Sequence, residues 1–205
     1  MKNENMKGLD VKISDRIARL SEEKRSLLLE RLKKTEIGQK NKIPKRNGTE
    51  ETIPLSFSQE RLWFLSQLES ESVFYNEAGA VELVGKLDVH ALEQSLQEII
   101  RRHEVLRTIF IAHEGRVQQY IVPELKVVLG HKDLQMLSSH QRIDETKQCM
   151  IDEANRSFDL SSGPLIRFLL IQLTLEKQVL VVVLHHIIAD GWSVKILVHE
   201  LSAIY

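Results

Sequence analysis

The chain has 205 residues, 42% of them hydrophobic, with nine glycines, four prolines and one cysteine, a composition that excludes wholesale disorder, collagen-like repeats and a disulfide framework. No apolar run approaches the roughly 20 residues of a membrane-spanning helix, and the opening MKNENMKGLD lacks the apolar segment of a secretory signal, so a cytoplasmic globular protein is expected. The net charge of −1 joins two unlike parts: 14 Lys and Arg against 8 Asp and Glu in residues 1–50, and 14 against 21 beyond them. The basic part intersperses its cations with acids and has no aromatic residue to stack on bases, which argues against a nucleic-acid partner.

Residues 1–34 read as a helical leader. In SEEKRSLLLERLKK, Ser21 can cap, Glu22 and Glu23 fill the first turn and Lys33 and Lys34 the last, complementing the helix dipole. Ile17, Leu20, Leu28 and Leu32 give it an apolar face that needs a docking partner. Residues 35–52 have linker composition, and the globular domain is placed at 53–205.

Within that domain, Leu55 to Leu68 reads as a strand or loop entering a short helix, and Ala78 to Leu83 as a strand. Asp88 caps a helix on which Val89, Leu92, Leu96 and Ile99 recur at helical spacing, and Arg101, Arg102 and His103 suit its C-terminus. A hairpin is predicted from Leu106–Ile111 and Arg116–Val122 around Glu114-Gly115, then a short strand at Leu125–Leu129. Ile143, Met150, Ile151 and Ala154 suggest a helix. Strands follow at Leu165–Thr174 and Gln178–His185, the latter with the run VLVVVL of a strand buried on both faces. A final helix begins at Ser193, with Ile196, Leu197, Leu201 and Ile204 on one side. It stops at Tyr205 without glycine cap, basic last turn or polar tail, so the sequence reads as cut.

The chemistry-bearing cluster is Leu184-His185-His186-Ile187-Ile188-Ala189-Asp190-Gly191-Trp192-Ser193, at the exit of the buried strand. Successive strand residues face opposite sides, so one histidine points to a site and the other packs. The same alternation argues against a metal pair, and no third ligand lies nearby in sequence. Asp190 can fix a turn or pair with an arginine, and Gly191 lets a backbone approach closely.

Together with two other segments, this cluster resembles the condensation domain of non-ribosomal peptide synthetases. His185, His186, Asp190 and Gly191 match that family's third core motif, two histidines, three residues and Asp-Gly. Ser56-Phe57-Ser58-Gln59-Glu60-Arg61-Leu62-Trp63-Phe64-Leu65 is similar to the first, and Arg102-His103-Glu104-Val105-Leu106-Arg107-Thr108-Ile109-Phe110 to the second. The three stand in the family's order and cover residues 53–205, but not the leader. Simpler roles stand beside these: Arg102 and His103 suffice to end a helix, Trp63, Phe64 and Leu65 are core material, and Arg107 is a scaffold or surface charge.

The resemblance implies an α/β (α+β) fold, a chloramphenicol acetyltransferase-like lobe with a mixed β-sheet and packed helices, whose second lobe lies outside this sequence. It implies amide formation between an acyl thioester on an upstream carrier protein and an amine on a downstream one. No cofactor is bound, the substrates being carried on phosphopantetheine. His186 is placed in a tunnel between the lobes as a base or positioning donor, an imidazole titrating near enough to neutrality for either. His185 accompanies it, Asp190 is structural with Arg61 as its candidate partner, and Gly191 keeps the backbone close to the intermediate. The 205-residue chain alone is expected to be inactive. Two further readings stay open: a non-catalytic lobe that binds a carrier or partner subunit, and an ester-forming acyltransferase. The leader could dock on an upstream synthetase subunit.

Overall fold

Four helices among the described residues start where the sequence supplies a cap or a favourable first turn. In the computed structural model, which describes residues 53–69, 71–113, 115–126 and 128–205, Ser56 caps α1 (Phe57–Leu68) by accepting from the Gln59 N–H, and the Gln59 side chain accepts from the Ser56 N–H in return. Asp88 caps α2 (Val89–Arg102) through Ala91, and Ser138 caps α3 (Ser139–Ala154) through Gln141. Asp190 caps α4 (Gly191–Ile204). The predicted leader helix and linker lie outside the described residues.

The strands form two sheets. In the smaller, β1 (Ile53–Pro54) and β3 (Thr108–His113) flank β4 (Arg116–Ile121), all antiparallel. The larger runs β2 (Asn76–Val84), β7 (Lys177–His185), β6 (Ile166–Thr174), β5 (Leu129–Asp133); β5 lies parallel to β6 and the other pairs are antiparallel, giving the mixed sheet expected. From Gln178 to His185 every residue of β7 is buried, because β7 is central and covered on both faces. Helices α2 and α4 lie on the face presenting Leu180 and Val182. Asn76, on the opposite parity of β2, donates to the carbonyls of Ala154 and Arg156 at the end of α3. Leu92, Leu96, Ile99 and Ile100 are all at most 2% exposed, and each such burial contributes roughly 1.5–3 kcal/mol.

Three predicted elements move. The hairpin's first strand begins at Thr108, not Leu106, because Glu104–Arg107 closes as a 3₁₀ turn in which the Thr108 hydroxyl donates to the Glu104 carbonyl at 2.9 Å. The strand expected at Leu125–Leu129 lies at Leu129–Asp133, an edge strand whose position is set by pairing Leu129 with Phe168 through Asp133 with Gln172. Its exposed His131, Lys132 and Asp133 mask any alternation and blunt the sheet edge. The last helix begins at Gly191 rather than Ser193, because Ser193 is the partner of the cap and not the cap itself. Of the residues read as core in α1, Trp63 and Leu65 are partly buried, but Phe64 is 58% exposed, since α1 lies over the small sheet and buries no residue fully.

Candidate functional site

The exit of β7 separates the two histidines as strand alternation requires. His185, its last residue, is 4% exposed. Its ring lies 6.2 Å from that of Phe158, edge to face, and 6.3 Å from that of Tyr75. Its Nδ1 accepts from the Ile187 N–H at 3.1 Å, so the proton of the neutral ring resides on Nε2. Burial, with a smaller contribution from the charge of His186, pushes the His185 pKa down to about 4.

His186 is turned the other way. Its N–H donates to the Tyr75 carbonyl at 2.7 Å, tying the strand exit to the approach of β2, while its side chain is 41% exposed. Its Nδ1 stands 3.2 Å from Oε1 of Glu77. Glu77 lies directly across from Leu184 in the β2–β7 register, two residues before His186 on the same parity, the diagonal spacing at which cross-strand side chains meet. Sequence reasoning did not single out Glu77, although a signal was present: it shares its strand parity with Gly79, Val81 and Leu83, the partly buried side of β2, where a carboxylate is out of pattern.

A second unforeseen element steadies the loop after the histidines. The Gln59 amide nitrogen lies 3.3 Å from the Ile187 carbonyl, to which it donates. Gln119 of β4 in turn donates to the Gln59 carbonyl oxygen at 3.2 Å and to the Pro54 carbonyl at 3.0 Å. The first motif thus meets the third through Gln59, a contact between residues 128 positions apart in sequence.

Asp190 and Arg61 are not brought together. As the N-cap of α4, Asp190 accepts from the Ser193 N–H at 2.8 Å and its hydroxyl at 2.7 Å. These hydrogen bonds, led by that from the Ser193 hydroxyl, hold its carboxyl below the ordinary aspartate value. Arg61 is exposed on α1, and the side-chain partner of Asp190 is Ser193. The physical reason is local: a carboxylate aimed into the first turn of its own helix satisfies that turn's N–H groups. Asp190→Asn should therefore leave α4 intact, asparagine capping equally well, whereas Asp190→Ala should raise the amide-exchange rate of Ser193 roughly tenfold. Hydrogen exchange read by mass spectrometry checks this, and equal damage by both variants would restore a charge partner.

Gly191 has ordinary backbone angles, and a Cβ placed on it would meet nothing within 4 Å; none of its described neighbours requires glycine there. The second motif is scaffold. Arg107 donates from Nε to the Ile100 carbonyl at 3.1 Å and from Nη1 to the carbonyls of both Val122 and Pro123, closing the end of α2 onto the exit of β4. Arg102 pairs with Glu98, and His103 Nε2 lies 2.8 Å from Glu200 of α4. An apolar cavity of about 360 Å³ lies between the large sheet and helices α2 and α4, lined by Val81, Leu83, Leu180, Val182, Leu92 and Leu201 among others; neither histidine borders it.

The fold and strand-exit histidines define a lobe of the condensation-domain type. The starter condensation domain of the rhizomide synthetase RzmA superposes with a TM-score of 0.71 at 22% identity, covering 76% of this chain and 39% of its own. The first condensation domain of the CDA synthetase gives a TM-score of 0.70 at 23% identity, over 78% and 40%. The family model described as Condensation domain matches residues 49–205, and the chain belongs to that family. Among curated relatives, one of the linear gramicidin synthase proteins of Brevibacillus parabrevis is 47% identical over 153 residues, 75% of this chain and 3% of that protein. Phosphinothricin tripeptide synthetase PhsC of Streptomyces viridochromogenes is 37% identical over 193 residues, 94% of this chain and 18% of that protein. The PhsC match leaves too few residues unmatched to stop at residue 53, so likeness to synthetases extends into the leader, which the three motifs did not reach. The chain spans only a small part of these curated relatives and about two fifths of the solved structures it resembles. No described helix is long and apolar enough to cross a membrane.

Proposed function

We propose that this chain supplies the histidine-bearing lobe of an amide-forming condensation domain in a cytoplasmic non-ribosomal peptide synthetase. The donor is an acyl thioester on the phosphopantetheine of an upstream carrier protein, and the acceptor an amine held on a downstream one. The observation that carries the reading is that the family match, over residues 49–205, contains a strand exit where His186, and not His185, offers its ring to solvent. The amine nitrogen attacks the thioester carbonyl carbon; a C–N bond forms, the C–S bond breaks, and the pantetheine thiol leaves. His186 Nε2 takes the proton lost by the amine, and that proton ends on the departing sulfur. The thioester is already the activated acyl group, so electrons and protons balance without a cofactor.

The surface around His186 supports a second lobe closing over it. Phe57, Phe74 and Trp192 are 91%, 90% and 72% exposed. Each lies within two residues of one bonded to the histidine segment: Gln59, Tyr75 and Asp190 or its cap partner Ser193. Large aromatic groups left in water in this way mark a surface that another body covers. The leader, 1–34, is suited to dock on an upstream synthetase subunit.

The test uses acyl-loaded and amine-loaded carrier proteins with the domain completed by its second lobe and, in parallel, with the 205-residue chain. Amide product is expected from the completed domain alone. Turnover of an alcohol acceptor with none of the amine would replace the peptide assignment by an ester-forming one. Amide formation by the short chain would overturn the requirement for a second lobe.

A further inference from the structure

We infer that Glu77 is a positioning residue for His186: its carboxylate keeps the proton of the neutral imidazole on Nδ1, leaving the Nε2 lone pair free for the acceptor amine. The inference rests on the role of His186 proposed above. It starts from the β2–β7 register, which sets Glu77 opposite Leu184 and diagonal to His186, and from the 3.2 Å between Oε1 and Nδ1. A neutral imidazole has two tautomers, and the surroundings of one ring nitrogen fix the state of the other. With a carboxylate at that distance, a proton on Nδ1 is attracted, whereas a lone pair on Nδ1 would face the negative oxygen. The electrostatics favour Nδ1–H.

The adjacent His185 is in the opposite state, because its Nδ1 accepts from the Ile187 N–H and its proton must sit on Nε2. The two histidines are thus differentiated twice, by burial and by tautomer. On the same strand, Glu82 pairs with Lys177 at 2.9 Å, an ordinary cross-strand ion pair. Glu77 forms no ion pair with any described lysine or arginine, and the cationic or polarisable group facing it is the His186 ring. A carboxylate on the partly buried side of β2 is the sort of partner that orients a working imidazole.

The experiment records long-range ¹H–¹⁵N correlation spectra of the ¹⁵N-histidine-labelled chain at alkaline pH, where the rings are neutral. His186 is expected as Nδ1–H and His185 as Nε2–H. Glu77→Ala should move His186 toward Nε2–H, the form an unconstrained histidine side chain favours, and Glu77→Gln serves as the shape-conserving variant should alanine disturb β2. Glu82→Gln should leave the His186 signals in place. His186 found as Nε2–H in the unmodified chain, or unmoved by both Glu77 variants, overturns the inference. In the completed domain, Glu77→Ala should lower kcat for amide formation roughly tenfold with little change in KM for the carriers; a change confined to KM would make Glu77 a binding residue instead. If His186→Ala proves fully active while the tautomer shift is seen, the proposed function falls and the positioning contact stands.

Discussion

Replacing His186 with alanine in the completed domain should slow amide formation by roughly 10²–10⁴-fold, the range lost with a positioned acid–base group, and leave the melting temperature nearly unchanged. The rate loss rests on the proposed proton transfer, and the unchanged stability on two observations. The His186 ring is 41% exposed, so little packing is lost with it, and the hydrogen bond that fixes its place, to the Tyr75 carbonyl, is made by the backbone N–H and survives the substitution. His185→Ala should do the reverse, because that ring fills space between Tyr75 and Phe158 and its Nδ1 satisfies a buried N–H. Single-turnover rates with preloaded carriers, set beside thermal unfolding of each variant, separate the two. Unchanged turnover by His186→Ala would remove it from catalysis.

Stability should fall as the pH is lowered from about 6.5 to about 4. In the unfolded chain His185 takes up its proton near the ordinary histidine value of about 6.5; in the fold, burial holds its pKa down to about 4. Between those values the unfolded state binds more protons, so the stabilisation is fully present above about 6.5 and is lost on the way down, at no more than about 1.4 kcal/mol per pH unit and roughly 3 kcal/mol in all. Glu98, held down to about 2 by hydrogen bonds from Arg101 and Arg102, acts in a lower window and does not confuse the reading. Urea midpoints between pH 7.5 and 4 check this. His185→Asn, which keeps an acceptor near the Ile187 N–H and cannot charge, should flatten the upper part of the curve. An unaltered slope in that variant would mean another group is responsible.

The parts of the fold that were legible in the sequence are those determined by local chemistry. The α2 stripe of Leu92, Leu96 and Ile99 and the Asp88 cap needed only helical geometry, and the run through Leu184 announced a strand covered on both faces. The strand near Leu125 was misplaced because an edge strand takes its bounds from its neighbour: β5 begins where Phe168 of β6 gives it a partner. Phe64, apolar by composition, is largely in water because it borders an open groove beside Arg116, Val117 and Gln118 of β4 that no described residue fills.

For the site, the pair His185–His186 and the sidedness of its two rings follow from the period of a strand, and the motif match at 185–191 follows from the letters alone. Which ring faces the site does not follow from the strand period, and only the family motif pointed to His186. The burial itself is made by Phe158 and Tyr75, which close around His185, and the partner of Asp190, Ser193 rather than Arg61, is likewise a matter of the folded helix start. Nor could sequence spacing join Glu77 to His186 or Gln59 to the Ile187 carbonyl. Those contacts exist only once β2 pairs with β7 and α1 meets the strand exit. Periodicity and capping act within a few residues and can be read along the chain, whereas the environment that gives one histidine a carboxylate and the other an apolar box is set by register and packing between segments distant in sequence, which only the tertiary structure decides.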